Sequence, residues 1–228
     1  MNKNVKDFIN KYEHLIDDNM WDELYKLAAK ELDANTGLLT DALFGADIYP
    51  LEYLNYIPEA FCFGSQLTEI EIPEGIKTIS VDAFGDCKIK HIKLPSTLTT
   101  IDNEAIAYCS ELTEINLPDS IDLIGDDAFA CCKKLKSIHI PAKLKVINAA
   151  TFSMCLALSD VDMSLANNLE RIETKAFANC ANLDELFIPP SVTYIANKAL
   201  PDHTDILCKE NSYAHEYAIA KDRFYKLV

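Results

Sequence analysis

No apolar run in this chain reaches the eighteen or so residues that a membrane-crossing helix needs. No membrane span is therefore expected. The opening segment, MNKNVKDFINKYEHLIDD, also lacks the apolar stretch of a secretory leader. A cytoplasmic location is expected on that basis, with a secreted or cell-surface location as the alternative if a signal peptide has been removed. Positive charge is scarce: 21 Lys and Arg face 36 Asp and Glu, a formal net charge of −15. Such a surface repels nucleic acid, so direct nucleic-acid binding is not expected. The signatures of catalysis are missing too. There is no Ser-His-Asp order, no glycine-rich phosphate loop and no H-E-x-x-H. Neither enzymatic activity nor a cofactor is expected.

What the chain does contain is repetition. LTEIEIPEGIKTISVDAFGDC, starting at Leu67, returns as LTEINLPDSIDLIGDDAFACC, starting at Leu112. Prolines fall at 50, 73, 95, 118 and 141, spaced 23, 22, 23 and 23 residues apart. Ser164 takes the next slot and Pro189 follows after two extra residues, carried by MSLANNLERI. An Ala-Phe pair or a variant of it recurs ten and eleven residues after each of these five prolines, as Ala60-Phe61, Ala83-Phe84, Ala105-Ile106, Ala128-Phe129 and Thr151-Phe152, and again, two residues later, in the longer unit after Ser164 as Ala176-Phe177. Cysteines 87, 109, 132, 155 and 180 sit three residues beyond the aromatic slot, where Gly64 stands in the first unit. The unit reads C-x-x-L-x-x-I-x-I-P-x-x-I-x-x-I-x-x-x-A-F.

Each slot has a physical reason. Ile70 and Ile72 alternate with Glu69 and Glu71, the period of a half-buried strand. Pro73 cannot donate to a ladder and ends that strand. Ile76 and Ile79 turn inward from the next segment, Ala83 is small where the chain crowds, and Phe84 fills the interior. One unit cannot bury this set alone, but stacked units each cover the neighbour's apolar edge. A coil of strand, turn and return with this period has leucine-rich-repeat geometry.

The motif resembles the BspA-like leucine-rich repeat family over about 47–203, roughly seven units. The resemblance implies an α/β repeat fold, a right-handed solenoid with short parallel strands on its concave face. It also implies ligand recognition without catalysis, in that family typically adhesion or host-protein binding at cell surfaces. Similar repeats occur in intracellular and phage-borne bacterial proteins.

An open solenoid needs closed ends. Val5, Phe8, Ile9, Tyr12, Leu15 and Ile16 have helical spacing, and Trp21, Leu24, Leu27, Ala28 and Leu32 continue a second amphipathic helix. A third is expected within 36–44. The domains expected are an N-terminal helical cap (1–46), the repeats (47–203) and a C-terminal strand-helix-strand cap (204–228). In the last of these, Ser212 is placed to cap the helix carrying Tyr213 and Tyr217.

The five in-register cysteines should form a buried, reduced column, one strand spacing of roughly 4.7–4.9 Å per step. Cys62, Cys131 and Cys208 fall outside it, and Cys131 or Cys208 is expected to be the reactive thiol. No metal site is expected. Cys131-Cys132 has no second pair at ligand spacing, and His91 and His139 lie two coils apart, roughly 10 Å.

The outward strand positions are Glu69/Glu71, His91/Lys93, Glu114/Asn116, Ser137/His139, Asp160/Asp162 and Glu185/Phe187. They form the candidate partner-binding surface, with acidic rungs on both sides of a mildly basic centre. The expected function is a non-catalytic, monomeric scaffold that binds another protein through this concave face. The alternative is an acidic inhibitor or decoy that blocks a basic, nucleic-acid-binding protein.

Overall fold

A computed structural model of the chain describes residues 3–17, 21–31, 40 and 54–228. The expected third helix, most of it, and the strand slots of the first unit at Asp47 and Tyr49 lie outside the described residues. From residue 54 the chain winds as stacked coils whose strands pair only in parallel.

Each coil contributes two short strands, one more than the sequence period showed. One row consists of a sheet of β1 (Tyr56–Ile57), β3 (Thr78–Ile79), β5 (Thr100–Ile101) and β7 (Leu123–Ile124), followed along the stack by a second sheet of β9 (Val146–Ile147), β11 (Arg171–Ile172) and β13 (Tyr194–Ile195), together the β1-to-β13 ladder. The other row consists of three successive sheets, together the β2-to-β15 ladder: β2 (Glu69–Glu71), β4 (His91–Lys93) and β6 (Glu114–Ile115); β8 (Ser137–His139) and β10 (Asp160–Asp162); and β12 (Glu185–Phe187), β14 (Asp205–Cys208) and β15 (Tyr225–Leu227). In the second ladder Ile70, Ile92, Ile115, Ile138, Val161 and Leu186 point inward and are buried, while most of their strand neighbours are exposed. That is the period of two carried by the sequence.

The third side of each coil is a tight turn around the aromatic slot. Residues two before and two after that slot have positive φ: Asp82 and Asp86, Glu104 and Tyr108, Asp127 and Cys131, Ala150 and Met154, Lys175 and Asn179. Left-handed backbone is costly for residues with a Cβ. Inter-coil hydrogen bonds offset it. Asp127, Phe129 and Cys131 donate their N–H groups to the carbonyls of Ala149, Thr151 and Ser153 one coil on, at 2.9, 2.9 and 2.8 Å.

This backbone frame corrects the register of the first unit. There the positive-φ pair is Ala60 and Gly64, so Cys62 occupies the aromatic slot and Phe61 the small-residue slot. Ser65, not Gly64, stands where the cysteine column begins, and it is fully buried. The ring geometry agrees. Phe129, Phe152 and Phe177 stack nearly parallel, with centroids 5.5 and 5.4 Å apart, whereas Phe61 meets Phe84 edge-on at 6.2 Å because it comes from a neighbouring slot.

The thiol column obeys one rule. Each Sγ donates to the carbonyl of the preceding coil's aromatic slot: Cys87 to Cys62, Cys109 to Phe84, Cys132 to Ile106, Cys155 to Phe129 and Cys180 to Phe152, at 2.5 to 3.2 Å. All five are free and buried. Burial raises the pKa of Cys87, Cys132 and Cys155 well above that of an ordinary thiol and takes Cys180 up to about 12. Cys109 is raised first by its contact with Cys87 and then by burial. Of the three thiols outside the column, Cys131 is half-buried, whereas Cys62 and Cys208 are buried, so of the two cysteines expected to react only Cys131 is open to solvent.

At the N-terminal side the first expected helix is broken at Tyr12 into α1 (Lys3–Lys11) and α2 (Glu13–Asp17), and α3 (Trp21–Glu31) follows. Phe8, Leu15, Leu24, Tyr25 and Ala28 join the same core as the coils. The Tyr25 ring lies 5.1 Å from Phe61, and its hydroxyl shares a 2.8 Å hydrogen bond with Thr40. Thr40 in turn donates to the Phe61 carbonyl. At the other end, β14 is followed by α4 (Tyr213–Ala220) and β15. The Ser212 hydroxyl accepts the His215 N–H at 3.3 Å and caps α4.

Two outcomes follow. Phe129→Ala removes a ring with no exposed surface from the slot between Ile106 and Phe152, where it begins the run of three stacked rings. It should cost about 3–5 kcal/mol, and a denaturant midpoint unchanged from that of the parent would show that the slot is not interior. The thiol column makes stability fall in alkali. An unfolded thiol ionises near pH 8.5, whereas the native column keeps its protons, so the unfolded state binds fewer protons above that pH. Stability is therefore complete below about pH 8.5 and declines as pH rises toward about 12. Denaturation midpoints measured across that window should fall, and thiol reagents should label these five cysteines slowly until the chain unfolds.

Candidate functional site

The outward positions of the β2-to-β15 ladder are set by the register of the inward ones. Glu69 lies beside His91 and Glu71 beside Lys93. His91 lies beside Glu114, Ser137 beside Asp160 and His139 beside Asp162. The candidate residues thus form two parallel files running along the stack. Asn116 continues its file just beyond β6, and Glu185 and Phe187 continue the files on β12. All are exposed except His139 and Phe187, which are half-buried.

The files are cross-linked from coil to coil. Lys93 Nζ lies 2.5 Å from Glu71 Oε1, and this contact raises the lysine's pKa. His91 lies 3.7 Å from Glu114. His139 sits between two carboxylates, 3.3 Å from Asp162 and 3.5 Å from Asp119. Asp162 is held below the usual carboxylate range by the Ser164 hydroxyl and backbone N–H, with His139 adding to this. Lys93, His91 and His139, expected to make a basic centre, are therefore partnered by neighbouring acids. With Glu69, Glu71, Glu114, Asp160, Asp162 and Glu185 against Lys93, the candidate face is acidic along its length.

Three participants escaped the sequence reading. Asp119 belongs to the turn after β6 and reaches His139 only because the coils stack. Asp205 and Lys226 extend the ladder beyond the repeats. Lys226 contacts Glu185 and lies 3.3 Å from Asp205. The alternation around Ile206 signalled Asp205, whereas nothing in the short run Phe224–Val228 signalled Lys226.

The β1-to-β13 ladder faces solvent with a different surface. Its outward residues are Thr78, Thr100, Leu123, Val146, Arg171 and Tyr194. Arg171 lies over the Tyr194 ring at 4.0 Å and donates to Glu173 at 2.8 Å. The two inserted residues of the sixth unit are accommodated by a loop that leaves Leu165 exposed, tied back by Asn168 to the Ala142 carbonyl at 2.9 Å. On the turn side, a shallow groove of about 1040 Å³ runs past Met154, Leu156, Lys175 and Lys198. Among the described residues no group of His, Cys, Asp and Glu has the arrangement of a metal site, and no helix is long and apolar enough to cross a membrane.

Known proteins share this arrangement. A profile of the BspA type leucine rich repeat region matches in six copies, over residues 55–164 and 100–210, which together exceed half of the chain. A search of curated proteins found no match. Among solved structures, a leucine-rich repeat protein from Bacteroides ovatus is 29% identical, with a TM-score of 0.60 over 70% of this chain and 44% of its own. The T. pallidum leucine rich repeat protein is 25% identical, with a TM-score of 0.55 over 65% of this chain and 72% of its own. The chain thus spans less than half the length of the B. ovatus protein. Members of such repeat families are generally scaffolds for protein interaction. Six profile copies on a parallel-stranded solenoid, with the isoleucine, aromatic and cysteine slots stacked in columns, place this chain in the BspA-type leucine-rich repeat family.

Proposed function

We propose that this chain is a non-catalytic scaffold that holds another protein on the outward face of the β2-to-β15 ladder, taken to be the concave side of a right-handed solenoid. The observation that carries this reading is the pair of regular side-chain files on a frame of parallel strands. Their spacing is set by backbone hydrogen bonds rather than by flexible loops. A rigid surface loses little conformational freedom when a partner docks, and fixed charge files select partner and register. Contacts of Tyr25 and Thr40 with Phe61 support residues 1–46 as a cap on the repeats at 47–203, and β14, α4 and β15 support 204–228 as the opposite cap. Free buried thiols fit a reducing compartment and so a cytoplasmic location.

The carboxylate excess on the same face favours a second reading, an acidic inhibitor that occupies a basic, nucleic-acid-binding protein. Ionic strength separates the two. Exposed charges are screened beyond about 8 Å at physiological salt, so a charge-driven inhibitor loses affinity steeply as salt rises, and a shape-driven scaffold changes little.

The test uses a partner first identified by affinity capture and then purified. Glu69→Lys with Asp160→Lys changes two exposed residues of the face that make no short ion pair among the described residues. It should weaken binding by tenfold or more, about 1.4 kcal/mol. Asp122→Lys with Glu170→Lys makes the same change in net charge at exposed positions beside the other ladder and should leave affinity near that of the parent. Equal weakening by both pairs would assign the effect to bulk charge and remove the face from consideration.

A further inference from the structure

The last strand breaks the burial rule that every earlier rung obeys. Register pairs Ile206 with Tyr225 and Cys208 with Leu227, so Tyr225 and Leu227 lie on the core side of the sheet. Ile206 and Cys208 are fully buried, yet Tyr225 is 40% and Leu227 50% exposed. Beside them Phe224 is 83% and Val228 52% exposed. The His215 ring meets Tyr225 edge-on at 4.8 Å and covers only part of this surface.

The strand edge is open as well. Phe224 gives its carbonyl to the Ile206 N–H at 3.0 Å, and Val228 gives its N–H to the Cys208 carbonyl at 3.1 Å. Because backbone groups alternate sides along a strand, those of Tyr225 and Leu227 point away from β14. The β15 strand is the end of its sheet among the described residues, and an open edge is a template for another strand.

We propose that β15 pairs with β15 of a second copy of this chain, antiparallel about a two-fold axis at Lys226. That register places Tyr225 opposite Leu227 of the other copy, where the outward N–H and C=O groups of both can bond, closing four backbone hydrogen bonds. It also places Phe224 opposite the other copy's Val228, so the exposed apolar groups cover one another. The interface is isologous and closes on itself.

Charge supports a second copy rather than an unlike partner. The chain carries −15 overall, but residues 204–228 hold four Lys or Arg and four Asp or Glu. This end can therefore approach its own copy without the repulsion of the acidic repeats. The two Lys226 side chains would face each other, but each is already paired with Glu185 and Asp205 of its own copy, so no uncompensated lysine charge is brought to the junction. Aromatic side chains present roughly 150–250 Å² each. The exposed parts of Phe224, Tyr225, Leu227 and Val228 supply a few hundred Å² per copy. That is less than the ~800 Å² per partner of a standard interface, so with its four backbone hydrogen bonds the pair should dissociate on dilution. The inference replaces the monomer expected from sequence and is independent of the proposed binding face.

Sedimentation equilibrium of the whole chain decides it. The expected result is a concentration-dependent species of twice 25.5 kDa. Leu227→Pro removes an N–H that points to the open edge and leaves the donors used by β14 in place. Phe224→Asp puts a charge at the mutual apolar contact, on a side chain that the isolated chain barely buries. Each variant should sediment at 25.5 kDa with an unchanged circular dichroism spectrum. A parent chain that stays at the monomer mass at every concentration overturns the proposal and leaves the edge to a strand from another protein. A dimer that survives in either folded variant overturns it too.

Discussion

Every feature of this molecule depends on backbone hydrogen bonding between successive coils. A coil of about 23 residues has no internal ladder and no helix, so its N–H and C=O groups find partners mainly in the coils above and below it. They do so on all three sides, through the two strand ladders and through the turn around the aromatic slot. Once those bonds form, the number of residues per coil is fixed closely, because a slip of one residue in a strand would turn its isoleucine to solvent. The bonds also support a backbone that would otherwise be strained. Glu104, Tyr108 and Cys131 hold left-handed angles despite their side chains, and the N–H of each is bonded to the next coil.

Columns of like side chains are the consequence. Rings at Phe129, Phe152 and Phe177 stack because their Cα atoms lie one coil apart. Cysteine suits its column because it is small, apolar enough to bury and still able to donate to the carbonyl of the preceding aromatic slot. Ser65 meets the same demand of size at the start of the column, where it is fully buried and its Oγ accepts the Leu67 N–H at 3.0 Å. The stack is also open by nature, since its first and last coils each lack a neighbour. Tyr25 and Thr40 meet that need at Phe61, while at the opposite end Tyr225 and Leu227 stay partly uncovered.

The register that stacks the core also aligns the surface. Acidic residues in equivalent slots come within one strand spacing of each other, and their repulsion is relieved by pairs such as Glu71 with Lys93 and Asp162 with His139. Exposed ion pairs of this kind contribute little to stability, typically about 0–1 kcal/mol. Their effect is to hold the charged groups of the face in a fixed pattern. A partner therefore meets a defined array rather than a diffuse acidic cloud, which is the physical basis for reading the face as a recognition surface.

The sequence by itself determined the repeat, its period, the inward isoleucines, the cysteine column and the outward files from Glu69 to Phe187. Period and alternation are local properties that a linear chain displays directly. The β1-to-β13 ladder was not legible, because a strand of two residues such as Thr78–Ile79 is too short to show alternation. The first unit was read one residue out of step, since the Ala60-Phe61 pair imitates the motif while the positive φ at Ala60 and Gly64 sets the true frame. Only the tertiary structure placed His139 between Asp119 and Asp162, brought Lys226 to Glu185 and left the β15 edge open. Those contacts join residues on different coils, and which atoms meet there depends on how one coil is seated on the next, a distance in space that no spacing along the chain records.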